Sequence, residues 1–263
     1  TALPGTGVTW EAGSFLGAAN GATVTVDLGA VANPVFSLSP DAGSSIALAT
    51  PSDIVFGNAI IGEGTVRKTG TGLLKLTGSN SGHIVVQEGS VQVGNGTASI
   101  RWGGAGSSVT LENGTSLIIA GNSSGNSHHT IGSDLILGTN ASDAVSLKWV
   151  DASQANATNY QHDFTGTVTV NGAVSLVGRD NWAKEMGFTG TLTGAGSLTY
   201  SRGAGDGRYN ANGKLIISGD ASGFTGMITM NASNGYSAGL DLRTSVSVSY
   251  THLRAHETEA DLV

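Results

Sequence analysis

The residues able to do chemistry are few, and they stand far apart. In SRGAGDGRYNANG, running 201–213, one carboxylate, Asp206, lies between Arg202 and Arg208. Polysaccharide lyases and hydrolases need carboxylates converging on one face, as an acid and base pair or a calcium site, often beside a basic residue. A single carboxylate among glycines and asparagines reads more simply as a solvated turn. In GRDNWAKEMG, 178–187, Trp182 flanked by Asp180 and Glu185 is the composition of a sugar-binding aromatic with polar partners. The same stretch has helical character, with Asn181 as a cap and Trp182, Lys184, Glu185 and Met186 in one turn, so a short helix packed over the fold is expected. His128 and His129 are adjacent, face opposite ways in extended chain and are expected to be surface histidines in a polar loop. The candidate binding residues are therefore Trp182, Glu185, Arg202, Asp206 and Arg208. No catalytic residue, metal set or cofactor is assigned, because no phosphate loop, serine elbow or metal quartet occurs in the sequence.

The elements that must position such residues follow from composition. Of 263 residues only 12% are charged while 41 are glycine, against roughly 25% charged and about 7% glycine in ordinary globular chains. Val, Ile, Leu and Thr between turn residues favour many short strands over helices. The net charge of -7 with scattered basic residues argues against nucleic acid or an anionic membrane as partner. Cysteine is absent, which excludes a disulfide framework and thiolate metal sites. No run of about 18 apolar residues is present, so no helical membrane insertion is expected. The chain opens on Thr1 without a signal segment, the pattern of an internal fragment.

A repeat runs through the text: FTGTVTV from Phe164, FTGTLTG from Phe188 and FTGMITM from Phe224, with SGHIVVQ from Ser81 as a degenerate copy. A second unit, GEGTV at Gly62 and GAGSL at Gly194, precedes a strand and is followed by LLKLTG from Leu73 or KLIISG from Lys214. The blocks 62–86 and 194–230 thus read as one pattern with an insertion in the later copy. In TVTVNGAVSLVG the period of two points Val168, Val170, Val174 and Leu176 inward, with Asn171 and Gly172 turning the chain at positive φ. An Asn-Gly pair between alternating strands is also a hairpin signal, which would give an antiparallel β-sandwich. The repeat of about two dozen residues favours instead rungs of a right-handed parallel β-helix, with threonine ladders outside.

The block GTVRKTGTGLLKLTGSNSGHIVVQEGSVQVG resembles the passenger-associated transport repeat, also called the autotransporter-associated β-strand repeat. The match rests on Gly64, Lys68, Gly70, Gly72, Leu74, Leu76, Gly78, Asn80, Gly82, Val86, Gly89, Val91 and Val93, with Val66 and Ser81 as departures. It is strong over these 33 or so residues and continues more weakly, through the FTG units, over 160–230. The resemblance implies a parallel β-helix outside a Gram-negative-type bacterium, in a repeat that assists passage or folding beyond the cell.

From about Val248 the text becomes VSYTHLRAHETEADLV, where glycine vanishes and the alternation stops. SYTHLRAHET resembles the translation of a sequencing-library adapter, so 248–263 is set aside as a non-native tail. The expected division is then 1–55 as an N-terminal β region of early rungs, 56–247 as the β-helix and 248–263 as the tail. Open solenoid ends predict self-association. The function expected is a non-catalytic extracellular or outer-surface stalk or passenger segment, adhesive or matrix-forming, with host or matrix glycans or proteins as partners. A carbohydrate-active lyase or hydrolase β-helix, its active site largely outside this chain, is the alternative.

Overall fold

The structure is a computed structural model that describes residues 2–3, 13–30, 35–94, 101–121, 128–151, 160–178, 184–202, 213–231 and 238–244. Its strands form sheets of ten, eight and six members and one two-stranded sheet. Every ladder between described strands is parallel. The chain visits the sheets in rotation. Ser108–Leu111 lies on the ten-stranded first face, Ser116–Gly121 on the eight-stranded second and His128–Ile131 on the six-stranded third, before Asp134–Leu137 returns to the first. This is a parallel β-helix, and the antiparallel sandwich is excluded.

Period-two alternation builds the core. On the first face Ile46, Val66, Ile84, Val109, Leu135, Val168 and Leu192 stand one above another, all buried. Leu74, Val91, Leu117, Leu147, Leu176 and Tyr200 do the same on the second face. Trp102, Ile131, Phe164, Phe188 and Ile217 form the third-face column, where the rings of Phe164 and Phe188 stack at 5.4 Å. Each rung therefore buries an apolar face that it could not bury alone. As read from the sequence, Val168, Val170, Val174 and Leu176 all point inward.

Rung length varies while this register holds. Leu73 lies opposite Ser90, 17 residues on, whereas His128 lies opposite Gln161, 33 residues on. Early in the chain the third side is narrow: Phe15–Ala18 pairs with Ser37–Pro40, and the contact then shrinks to single bridges from Leu38 to Ile60 and Ile60 to Asn80. From Arg101–Trp102 onward it is a full sheet. Six successive connections, 94–100, 122–127, 152–159, 179–183, 203–212 and 232–237, each leave a second-face strand and enter a third-face strand, so all of them start and end at one corner.

Corners are tied by polar side chains where the ladders break. Asp53 Oδ1 accepts from Leu73 N at 3.0 Å, Glu88 Oε2 from Gly70 N at 2.9 Å and Asn113 Oδ1 from Ala144 N at 2.9 Å. Asp143 Oδ2 accepts from Thr139 N at 2.7 Å, Thr139 Oγ1 at 3.0 Å and Asn140 N at 3.1 Å. The Thr139 backbone donor leads in holding this carboxyl below the usual carboxylate range.

Several expectations are corrected. Asn171 and Gly172 make a corner between the first and second faces and neither has positive φ. Gly172 is required because a Cβ there would sit 2.4 Å from Asp143 O. The expected helix is absent from the described part of its segment: Lys184–Phe188 is a third-face strand between Tyr160–Phe164 and Gly213–Ile217. Met186 and Phe188 alternate into the core there, and that burial outweighs the helix propensity of Lys184, Glu185 and Met186. His128 and His129 lie in the strand His128–Ile131, not in a loop, and His129 is buried with its ring 5.8 Å from that of Trp149.

The repeat also maps differently from its text. FTG at Phe164 and Phe188, like SG at Ser81, leads into a first-face strand, but FTG at Phe224 leads into Ile228–Asn231 on the second face. GEGTV at Gly62 likewise enters the first face and GAGSL at Gly194 the second. Corners leading to either face crowd a glycine against the rung below, as at Gly190 and Gly196, so similar text marks corners and not a fixed face.

Candidate functional site

A groove of about 660 Å³ opens where the third face turns into the first. Its floor comes from the short corners of three successive rungs. Gly166 stands over the preceding rung so closely that a Cβ would lie 2.5 Å from Ser133 O, and at Gly190 it would lie 2.2 Å from Gly166 O. Only glycine permits that spacing, and the result is a strip of surface without side chains. Across rungs stacked about 4.8 Å apart, the distance from the Gly103 corner to the Gly190 corner is about 14 Å along the solenoid axis.

The walls are hydroxyls and one overhanging loop. Thr130, Thr165, Thr167 and Thr191 line the strip, and residues 103–106, from a longer corner than the three that follow it, form the rim. Ser107 holds that loop: its Oγ accepts from Gly104 N at 3.0 Å and lies 2.7 Å from Ser133 Oγ. Asp134 is the one charged residue among the lining residues described. Its Oδ1 accepts from Thr167 N at 2.7 Å, which fixes the carboxylate against the next rung. Trp102 closes one end, 5% exposed, with its indole Nε1 buried and without a hydrogen-bond partner.

The candidates read from the sequence are elsewhere. Glu185 lies on the third face opposite Gln161 and Lys214. Arg202 ends the second-face strand Ser197–Arg202, opposite Gly178. Trp182, Asp206 and Arg208 lie outside the described residues. Glu185 and Arg202 flank the corner where the second face passes to the third, not the groove. Among the described residues, no group of three or more His, Asp or Glu side chains is placed to hold a metal ion, and no helix is long and apolar enough to cross a membrane.

Sequence reasoning missed the groove because its residues come from four rungs separated by unequal chain lengths. The available signal was the run of glycine corners, GGAG at Gly103, IGS at Ile131, FTG at Phe164 and FTG at Phe188, each followed by a first-face strand.

No family model, no curated protein and no solved structure matches this chain. The functional reading therefore rests on the sequence and on the geometry above.

Proposed function

We propose that this chain is a non-catalytic structural segment of a secreted or surface-displayed bacterial protein of the autotransporter type, a β-helical stalk or passenger that adheres to glycans or matrix proteins. The observation that carries the reading is the uninterrupted solenoid with a hydroxyl-bearing exterior. Ser90, Ser116, Ser146, Ser175, Thr199 and Thr229 occupy one column of the second face, one per rung; Ser116 is buried, its Oγ 2.7 Å from Ser146 Oγ, and the others are half-buried. Such a surface offers many weak, evenly spaced contacts whose sum depends on length. The resemblance of 64–93 to the passenger-associated transport repeat supports an extracellular setting.

The test is an array of glycans and matrix proteins probed with the full chain, run beside an incubation with plant and host polysaccharides. Retention without shortened products supports an adhesive stalk. Release of shortened or unsaturated chains would overturn the non-catalytic reading, and silence on every surface would overturn the adhesive one.

A further inference from the structure

We propose that the groove between the third and first faces binds a neutral, hydroxyl-rich polysaccharide laid along the solenoid axis. The inference rests on the adhesive reading and gives it a site and a ligand class. Three features select that class.

Several backbone groups of the floor are already engaged. Gly132 N donates to Trp102 O at 2.9 Å, Thr165 N to Ile131 O at 2.9 Å and Gly190 N to Phe164 O at 3.0 Å, while Leu135 N and Val168 N donate to Thr167 O and Thr191 O. An extended peptide adding itself as a strand would need free main-chain groups, and these are consumed by neighbouring rungs. Side-chain hydroxyls are different. Among the described residues Thr130, Thr167 and Thr191 use no hydroxyl in an internal hydrogen bond, so each can both donate to and accept from a ligand hydroxyl.

Charge removes the anionic alternatives. No Lys, Arg or His is among the described residues lining the groove, and its single charge is the carboxylate of Asp134. A polyanion, whether uronate, sulfated glycan or nucleic acid, would meet like charge and no counter-charge. A neutral sugar instead finds an acceptor in the Asp134 oxygen not held by Thr167 N. The glycine strip lets a flat ring face approach the backbone closely, and about 14 Å of it suits a short run of sugars better than one.

The experiment titrates the full chain with cellohexaose, mannohexaose and the corresponding monosaccharides, with a polygalacturonate hexamer as the anionic probe. Thr167→Val combined with Thr191→Val removes two hydroxyls at nearly constant shape, and Thr110→Val, outward on the first face away from the groove, is the control. Gly104→Trp adds bulk at the rim, where a Cβ meets nothing within 4 Å. The expected result is binding of a neutral hexamer that exceeds its monosaccharide, weakened about tenfold by the double variant and by Gly104→Trp, and unchanged by Thr110→Val. Neutral binding that survives both groove variants overturns the groove while leaving the adhesive reading in place. Binding of the anionic hexamer alone overturns the ligand class. Absence of every glycan here together with silence on the glycan and matrix array overturns both.

Discussion

Lys68 is fully buried, and its place in the structure sets a clear sign for a measurement. It stands in a first-face column between Leu48 and Val86, with its Nζ donating to Gly70 O and, at 3.3 Å, to Thr69 O. Burial pushes the amine down to about 8, and nearby Glu88 pulls partway back. Because the folded value lies below the unfolded one, the unfolded chain holds the extra proton between about pH 8 and 10.5. Stability should therefore rise with pH across that window. The expected gain is about 1–3 kcal/mol between pH 7.5 and 10, read from urea unfolding midpoints, and Lys68→Met should flatten it. Equal slopes for the two proteins would exclude a burial-depressed amine. The burial was legible: counting by two from Val66 places Lys68 inward, as counting back from Ile131 places His129. Residue type obscured it, since lysine is expected outside and histidine is no marker of a core.

At the scale of the element, the corners decide what a rung tolerates. A Cβ at Gly72 would lie 2.2 Å from Ser52 O and 2.7 Å from Thr50 O, backbone atoms of the rung below, so Gly72→Ala must pry two rungs apart. The expected cost is about 1–3 kcal/mol, measured by thermal unfolding. Gly104→Ala, open on all sides and without positive φ, should stay within about 0.5 kcal/mol of the parent. Equal effects would mean that the corner spacing is not a constraint. Strand interiors were readable because Val168, Val170, Val174 and Leu176 keep a period of two. Lys184–Phe188 was not, because Gly187 and strong helix formers mask the alternation of Met186 with Phe188, and only the flanking strands impose it. Corner text such as FTG could not report which face follows. That information lies in chain length, and the groove, assembled from four corners, was hidden for the same reason.

For the whole molecule, each rung touches only its neighbours, so stability is a sum of nearest-neighbour terms and the ends have one neighbour fewer. Hydrogen exchange should reflect this, with amides of His83–Val86, Ser108–Leu111 and Asp134–Leu137 protected longest and those of Thr23–Asp27 and Gly223–Phe224 exchanging earlier. Uniform protection along the first face would argue for a single cooperative unit instead. The shared corner between the second and third faces bears on a different question, that of change over generations. Its connections span five residues at 179–183 and ten at 203–212, yet Gly178, Arg202 and the strands they end keep their register. Lengthening a closed loop costs little, since each doubling adds only about 0.6 kcal/mol. Insertions at this edge therefore escape the scrutiny that the core imposes on every inward side chain. This margin is free to drift in length, while the column of apolar residues behind it keeps its register.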